Sequence, residues 1–161
     1  MVDQSQIHHL MAEIGPVLGL AGVAEYGEGD VWALVVDDNL EILARLDPTA
    51  GCLVLTADIG TPIPERQSDL YKTLLLYNNQ RDRTGGVQMA LAAPDGPVVQ
   101  SLVLSSTDLT IEKLADVLTG FIEINLGWRE IITGANPDVN DASEAPGDGP
   151  PDEPPPGALR V

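Results

Sequence analysis

An α+β fold is predicted for this 161-residue chain by three features of its sequence. Apolar residues recur at spacings of three and four in three separate segments. Between those segments run short stretches that alternate apolar and polar residues, bounded by Asp, Asn, Gly and Pro. The loops joining neighbouring stretches are too short for crossovers, which makes the strands antiparallel. The predicted order is helix, three-stranded antiparallel meander, helix, two strands, helix.

The first helix is carried by Ile7, Leu10, Met11, Ile14 and Leu18, one apolar stripe, with Ser5 or Asp3 as its cap. It is expected to stop near Gly15-Pro16 or at Gly19, because Pro16 removes a backbone donor. His8 and His9 have no cysteine or acidic cluster beside them and read as a surface pair. Three strands follow, at Val31–Val36, Leu40–Leu46 and Cys52–Ile59. Asp37-Asp38-Asn39 makes the first turn, and Asp47 to Gly51 the second. In the middle strand Leu40, Ile42, Ala44 and Leu46 alternate with Glu41, Leu43 and Arg45, giving one core face and one wet face. Helices then cover only one side of this meander.

Pro64 suits the opening of the second helix, where its missing donor matters least. That helix is expected from Glu65 to Asn79. Its apolar residues, Leu70, Tyr71, Leu74, Leu75, Leu76 and Tyr77, occupy more than one face. One side meets the chain's own sheet; the other points to a second subunit. Gly85-Gly86 separates it from strands at Val87–Ala92 and Val98–Leu104, with Gly96 expected at positive φ in the turn between them. Ser105 to Asp108 offer caps for the last helix. If Asp108 is the cap, Ile111 takes the third helical position and no capping box forms. Its main stripe is Ile111, Leu114, Ala115, Leu118, Phe121, Ile122 and Asn125, extended by Val117, Ile124, Trp128 and Ile131. Gly120 and Gly127 each weaken the helix by about 1 kcal/mol relative to Ala. Close packing against a neighbour would account for both.

Two regions emerge. Residues 1–133 form the α+β domain. Residues 134–161, with two proline runs and six acidic residues, read as a disordered acidic tail.

Acidic residues outnumber basic ones 25 to 8, a formal charge of -17. Such a field repels nucleic acid and anionic membrane and favours basic or mixed-charge peptides. The lone cysteine, Cys52, excludes an intrachain disulfide and sits beside Leu53, Val54 and Leu55 as an inert strand thiol. No signal-peptide pattern opens the chain and no apolar run is long enough to span a membrane, which points to the cytoplasm.

No arrangement for chemistry accompanies this fold. There is no HExxH, no paired-cysteine motif and no GxxxxGK[ST]. Gly27-Glu28-Gly29-Asp30 lacks the strand-loop-helix context of a phosphate loop, and its acids would repel phosphate. Asp37 and Asp38 read as turn residues. No catalytic residue, cofactor or metal is therefore expected. Binding has a mechanism instead: an antiparallel sheet with an exposed face and free edges accepts an extended peptide by backbone pairing. The candidate contacts are Val31, Ala33 and Val35 in the first strand and Leu53 and Leu55 in the third. Strand phase is ambiguous where both faces are apolar, so their neighbours are the alternative outward set.

Several stretches carry a resemblance to a known family. Leu74-Leu75-Leu76-Tyr77-Asn78 precedes the glycine-marked entrance to Val87-Gln88-Met89-Ala90-Leu91. Ala93-Pro94-Asp95-Gly96 and Val98-Val99-Gln100-Ser101-Leu102 follow, and the pattern ends in Phe121 to Arg129. From Gln4 to Thr133 the chain resembles the class I type III secretion chaperones, the family of the chaperone of the translocated intimin receptor. The resemblance implies a cytoplasmic bacterial homodimer that binds the N-terminal region of a secreted effector and keeps it extended and competent for export. It places Leu70, Leu74 and Tyr77 at the dimer centre with Val87, Met89 and Leu91. It assigns Leu10, Met11 and Ile14, with the first three strands, to the cargo surface. The acidic Pro-rich tail departs from the compact family pattern. A structural or regulatory dimer that binds a folded protein is the competing reading.

Overall fold

The computed structural model describes residues 4–27 and 29–134. The tail expected from residue 135 onward, the Asp3 cap and Glu28 lie outside the described residues.

The elements in order are α1 (Gln4–Leu18), β1 (Gly22–Tyr26), β2 (Val31–Val35), β3 (Glu41–Asp47), β4 (Cys52–Gly60), a 3-10 turn (Pro64–Arg66), α2 (Gln67–Asn78), β5 (Gln88–Leu91), β6 (Val98–Ser105) and α3 (Ile111–Thr133). The strands form one antiparallel sheet in the order β1-β2-β3-β4-β6-β5. One strand was not foreseen. β1, Gly22-Val23-Ala24-Glu25-Tyr26, is short and lacks clear alternation, and its pairing with β2 makes it a strand.

Apolar alternation fixes which sheet face is covered. In β3, Ile42, Ala44 and Leu46 are buried, while Glu41, Leu43 and Arg45 are exposed. The helices lie on the buried side: α3 on β4, α1 on α3 and β1, and α2 on β5. One continuous core joins Ile7, Met11 and Ile14 of α1 to Leu53 and Leu55 of β4 and to Leu114, Leu118 and Phe121 of α3.

The helix ends follow local chemistry. α1 runs through Pro16 to Leu18, and Gly19 then turns left-handed at φ 65°. The Leu20 N–H returns to the Gly15 carbonyl at 3.0 Å, the six-residue closure common at helix ends. α3 is capped by Thr110, not by Asp108: the Thr110 hydroxyl accepts from the Lys113 N–H at 3.3 Å. Asp108 instead sits in a left-handed turn at φ 55°. Similarly, Asp95 rather than Gly96 takes the positive φ before β6. Gly96 is needed for space, since a Cβ there would lie 3.1 Å from the Ala93 backbone. Gly120 and Gly127 have open space where a Cβ would stand, so close packing within this chain does not explain them.

Asp37 and Asp47 are turn formers. Asp37 Oδ1 accepts from the N–H groups of Asn39 and Leu40, and Asp47 Oδ1 from those of Thr49 and Ala50. Among the described residues, no group of three His, Cys, Asp or Glu side chains is placed to hold a metal.

Candidate functional site

Because all three helices occupy one side, the opposite face of the sheet is uncovered among the described residues. Register defines its rows. One crosses Tyr26, Val31, Arg45, Val54 and Val103; the next crosses Ala24, Ala33, Leu43, Thr56, Ser101 and Gln88. Val103 is 63% exposed, Tyr26 54% and Leu43 42%. Apolar side chains thus stand in water from the β1 edge across to β6, where an isolated domain gains nothing from them.

The expected cargo residues divide between the two faces. Val31 and Val35 are partly exposed on the open side, and Ala33 shares a row with Leu43 although it is itself buried. Leu53 and Leu55 point the other way and are fully buried, so Val54 and Thr56 are the outward residues of β4. Leu10, Met11 and Ile14 are likewise core residues rather than surface contacts: their stripe is the face α1 presents to the sheet. Leu43, Val103 and Tyr26, the exposed apolar residues of this face, were not among the expected contacts. The apolar residue breaking the wet side of β3, Leu43 between Glu41 and Arg45, was the available signal.

The second apolar surface lies on α2 and β5. Leu70 and Leu74 face inward, as do Val87 and Met89. Tyr77 packs edge-on against Trp128, with ring centroids 5.2 Å apart. Burial raises the Tyr77 phenol pKa, and a hydrogen bond with Trp128 partly offsets this. Outward stand Leu75 (69% exposed), Leu76 (66%) and Leu91. Leu75 and Leu91 flank a cleft of about 270 Å³ that also reaches Tyr71, Leu74, Asn78, Met89 and Ala90.

The two sheet edges are not equivalent. Along the outer side of β5, Asn78 acts as a surrogate strand: its Nδ2 donates to the Met89 carbonyl and its Oδ1 accepts from the Met89 N–H, both at 2.8 Å. Thr84 does the same at Val87, where its carbonyl accepts from the N–H and its hydroxyl donates to the carbonyl. An edge whose backbone is already paired cannot add a strand at those positions. The β1 edge has no such plug among the described residues. It is flanked by α1, drawn close because Gly15 has no Cβ; one would lie 3.2 Å from Val23.

At the N-terminus of α3, the Glu112 backbone N–H, and then the Thr110 hydroxyl, hold the exposed Glu112 carboxyl below its ordinary pKa. No helix among the described residues is long and apolar enough to cross a membrane.

Comparison with known proteins agrees with this architecture. The family model of the Tir chaperone protein (CesT) family matches residues 9–129. Among solved structures, the ExsC-ExsE complex contains a chain that aligns with a TM-score of 0.68 at 19% identity, covering 82% of this chain and 97% of that one. The HopA1-SchA chaperone-effector complex aligns at 0.61 and 18% identity, covering 81% and 99%. The Yersinia pestis type III secretion chaperone SycH, in complex with a stable fragment of YscM2, aligns at 0.57 and 23% identity, covering 74% and 97%. A sequence search of curated proteins finds no match.

Proposed function

Since the chain belongs to the Tir chaperone protein (CesT) family, we propose that its uncovered sheet face and free β1 edge hold the N-terminal segment of a secreted effector in extended form. It is a type III secretion chaperone, and its work is binding rather than catalysis. The observation that carries the surface assignment is the exposed apolar set Tyr26, Leu43 and Val103 on a sheet face that none of the described helices covers. Burying that surface contributes roughly 25 cal/mol per Å². Ordering the cargo offsets much of the gain, which keeps the complex reversible. Chaperone action of this kind belongs in the bacterial cytoplasm, before export.

Self-association is the second part of the proposal. Leu75 and Leu76 of α2 and Leu91 of β5 supply an apolar patch turned away from the core, matched to a second copy of the same patch. Asn78 and Thr84 occupy the β5 edge, so the two copies meet through side chains and not by extending the sheet. The acidic region from residue 135 is assigned to solubility.

The test is co-purification with effectors encoded near this gene, followed by protease-protection mapping of the bound effector. Protection confined to an N-terminal effector segment supports the proposal. Binding that survives deletion of that segment and requires the effector's folded domain would favour a regulatory dimer instead.

A further inference from the structure

The β1 strand carries a carboxylate, Glu25, on the side facing α1. Beside it lies a groove of about 190 Å³ lined by His8, Met11, Ala12, Val23, Glu25 and Trp32. Its walls are short or apolar at Ala12, Val23 and Met11, leaving room for the stem of one long side chain. The Glu25 carboxylate, half exposed, also lines the groove. The nearest cation-forming group among the described residues is His8, whose Nδ1 is 3.8 Å from Glu25 Oε1, beyond hydrogen-bond reach. His8 is held in turn by an edge contact with Trp32, with centroids 5.2 Å apart. Gly29 permits this convergence: at φ 97° it has no Cβ, and one would lie 2.9 Å from both Glu25 Oε1 and His8 Cε1.

An acceptor-only carboxylate in a groove that also presents the apolar Met11, Ala12 and Val23, beside the β1 edge, fits a lysine or arginine carried by an added strand. We propose that the extended cargo segment pairs with β1 and places a basic side chain in this groove, its stem along Val23 and its charge at Glu25. This rests on the extended-cargo reading above and adds a sequence requirement to it. The chain's charge of -17 favours the same occupant. It also disfavours the other simple one, since β1 pairing with its own copy would bring two Glu25-bearing strands together.

Panning a random-peptide library against the full-length chain and against its E25K variant tests the proposal. Circular dichroism checks that the variant folds, as expected for a half-exposed position. The expected result is a set of alternating apolar peptides enriched in Lys or Arg at one fixed position, with Asp or Glu replacing them at that position on E25K. For one selected peptide, replacing the basic residue by norleucine should weaken binding to the unmodified chain about fivefold, and binding to E25Q hardly at all. Apolar peptides recovered without a charge preference, or with the same preference on both proteins, would overturn the basic anchor while leaving the chaperone reading intact. Failure to select any peptide would overturn both. A change in oligomeric mass on E25K, with peptide choice unaltered, would assign the edge to self-association and overturn the proposal.

Discussion

Arg129 of α3 donates through Nη2 to the backbone carbonyl of Asp58 at 3.1 Å. That carbonyl lies where the β4–β6 register slips between Asp58 and Gly60, a bulge that interrupts the ladder. Asn125 Nδ2 reaches the same oxygen at 3.3 Å, and Arg129 Nη1 reaches the Asn39 carbonyl in the β2–β3 turn at 2.6 Å. The last helix therefore fastens the β2–β3 turn and the β4 bulge at one end of the sheet. Arg129→Met keeps the stem and removes the donors, leaving the Asn39 carbonyl to water and the Asp58 carbonyl to Asn125 alone; it should cost about 1–2 kcal/mol in urea denaturation. An unchanged midpoint would show that these bonds contribute nothing net.

Asn78→Ala should uncap β5. The Met89 N–H and carbonyl lose both partners, at a cost of roughly 1–3 kcal/mol. The freed edge should also promote association through strands. Light scattering that shows no larger species, together with unchanged stability, would argue that the edge is protected by other means.

Substitutions on α2 should separate self-association from folding. Leu76→Asp, at a position 66% exposed, should leave the unfolding midpoint of the subunit within about 0.5 kcal/mol and shift sedimentation toward monomer. Leu74→Ala, at 6% exposure, should cost about 2–5 kcal/mol through the cavity it leaves. Monomeric mass in the unmodified protein would remove the dimer proposal.

A matching contrast applies to cargo. Leu43→Asp or Val103→Asp should fold normally and weaken effector capture, because both stand on the open face. Met11→Asp should instead unfold the domain, since an unpaired carboxylate would enter the core at a position 1% exposed. Full effector binding by a folded Leu43→Asp, Val103→Asp double variant would move the cargo site elsewhere.

Alkaline pH should act through Tyr77. Its folded pKa lies above the ordinary tyrosine value of 10.0 because burial disfavours the phenolate. Between the unfolded and folded values the unfolded chain has lost the proton and the native state retains it, so stability falls as pH rises through that window. Tyr77→Phe should remove this part of the alkaline loss. Identical pH–stability curves for the two proteins would contradict the assignment.

Local periodicity determined the element order. The stripe from Ile7 to Leu18, the alternation from Leu40 to Leu46 and the apolar run from Leu70 to Tyr77 each report a period that no distant contact is needed to read. The same run is apolar on more than one side, but the sequence did not say which: Leu70 and Leu74, expected at a dimer centre, face inward, and Leu75 and Leu76 face outward. Tertiary structure alone decided which face of each element is core. Leu53 and Val54 are equally apolar and adjacent, and only strand register with α3 overhead sends the first inward and the second outward. β1 lay beyond sequence reasoning for the same reason, because a short edge strand owes its conformation to the partner it pairs with. The plugging of Met89 by Asn78 spans eleven positions and depends on where α2 ends against β5. Hydrogen-bond partners so placed leave no periodic trace in the chain, whereas burial of one face does.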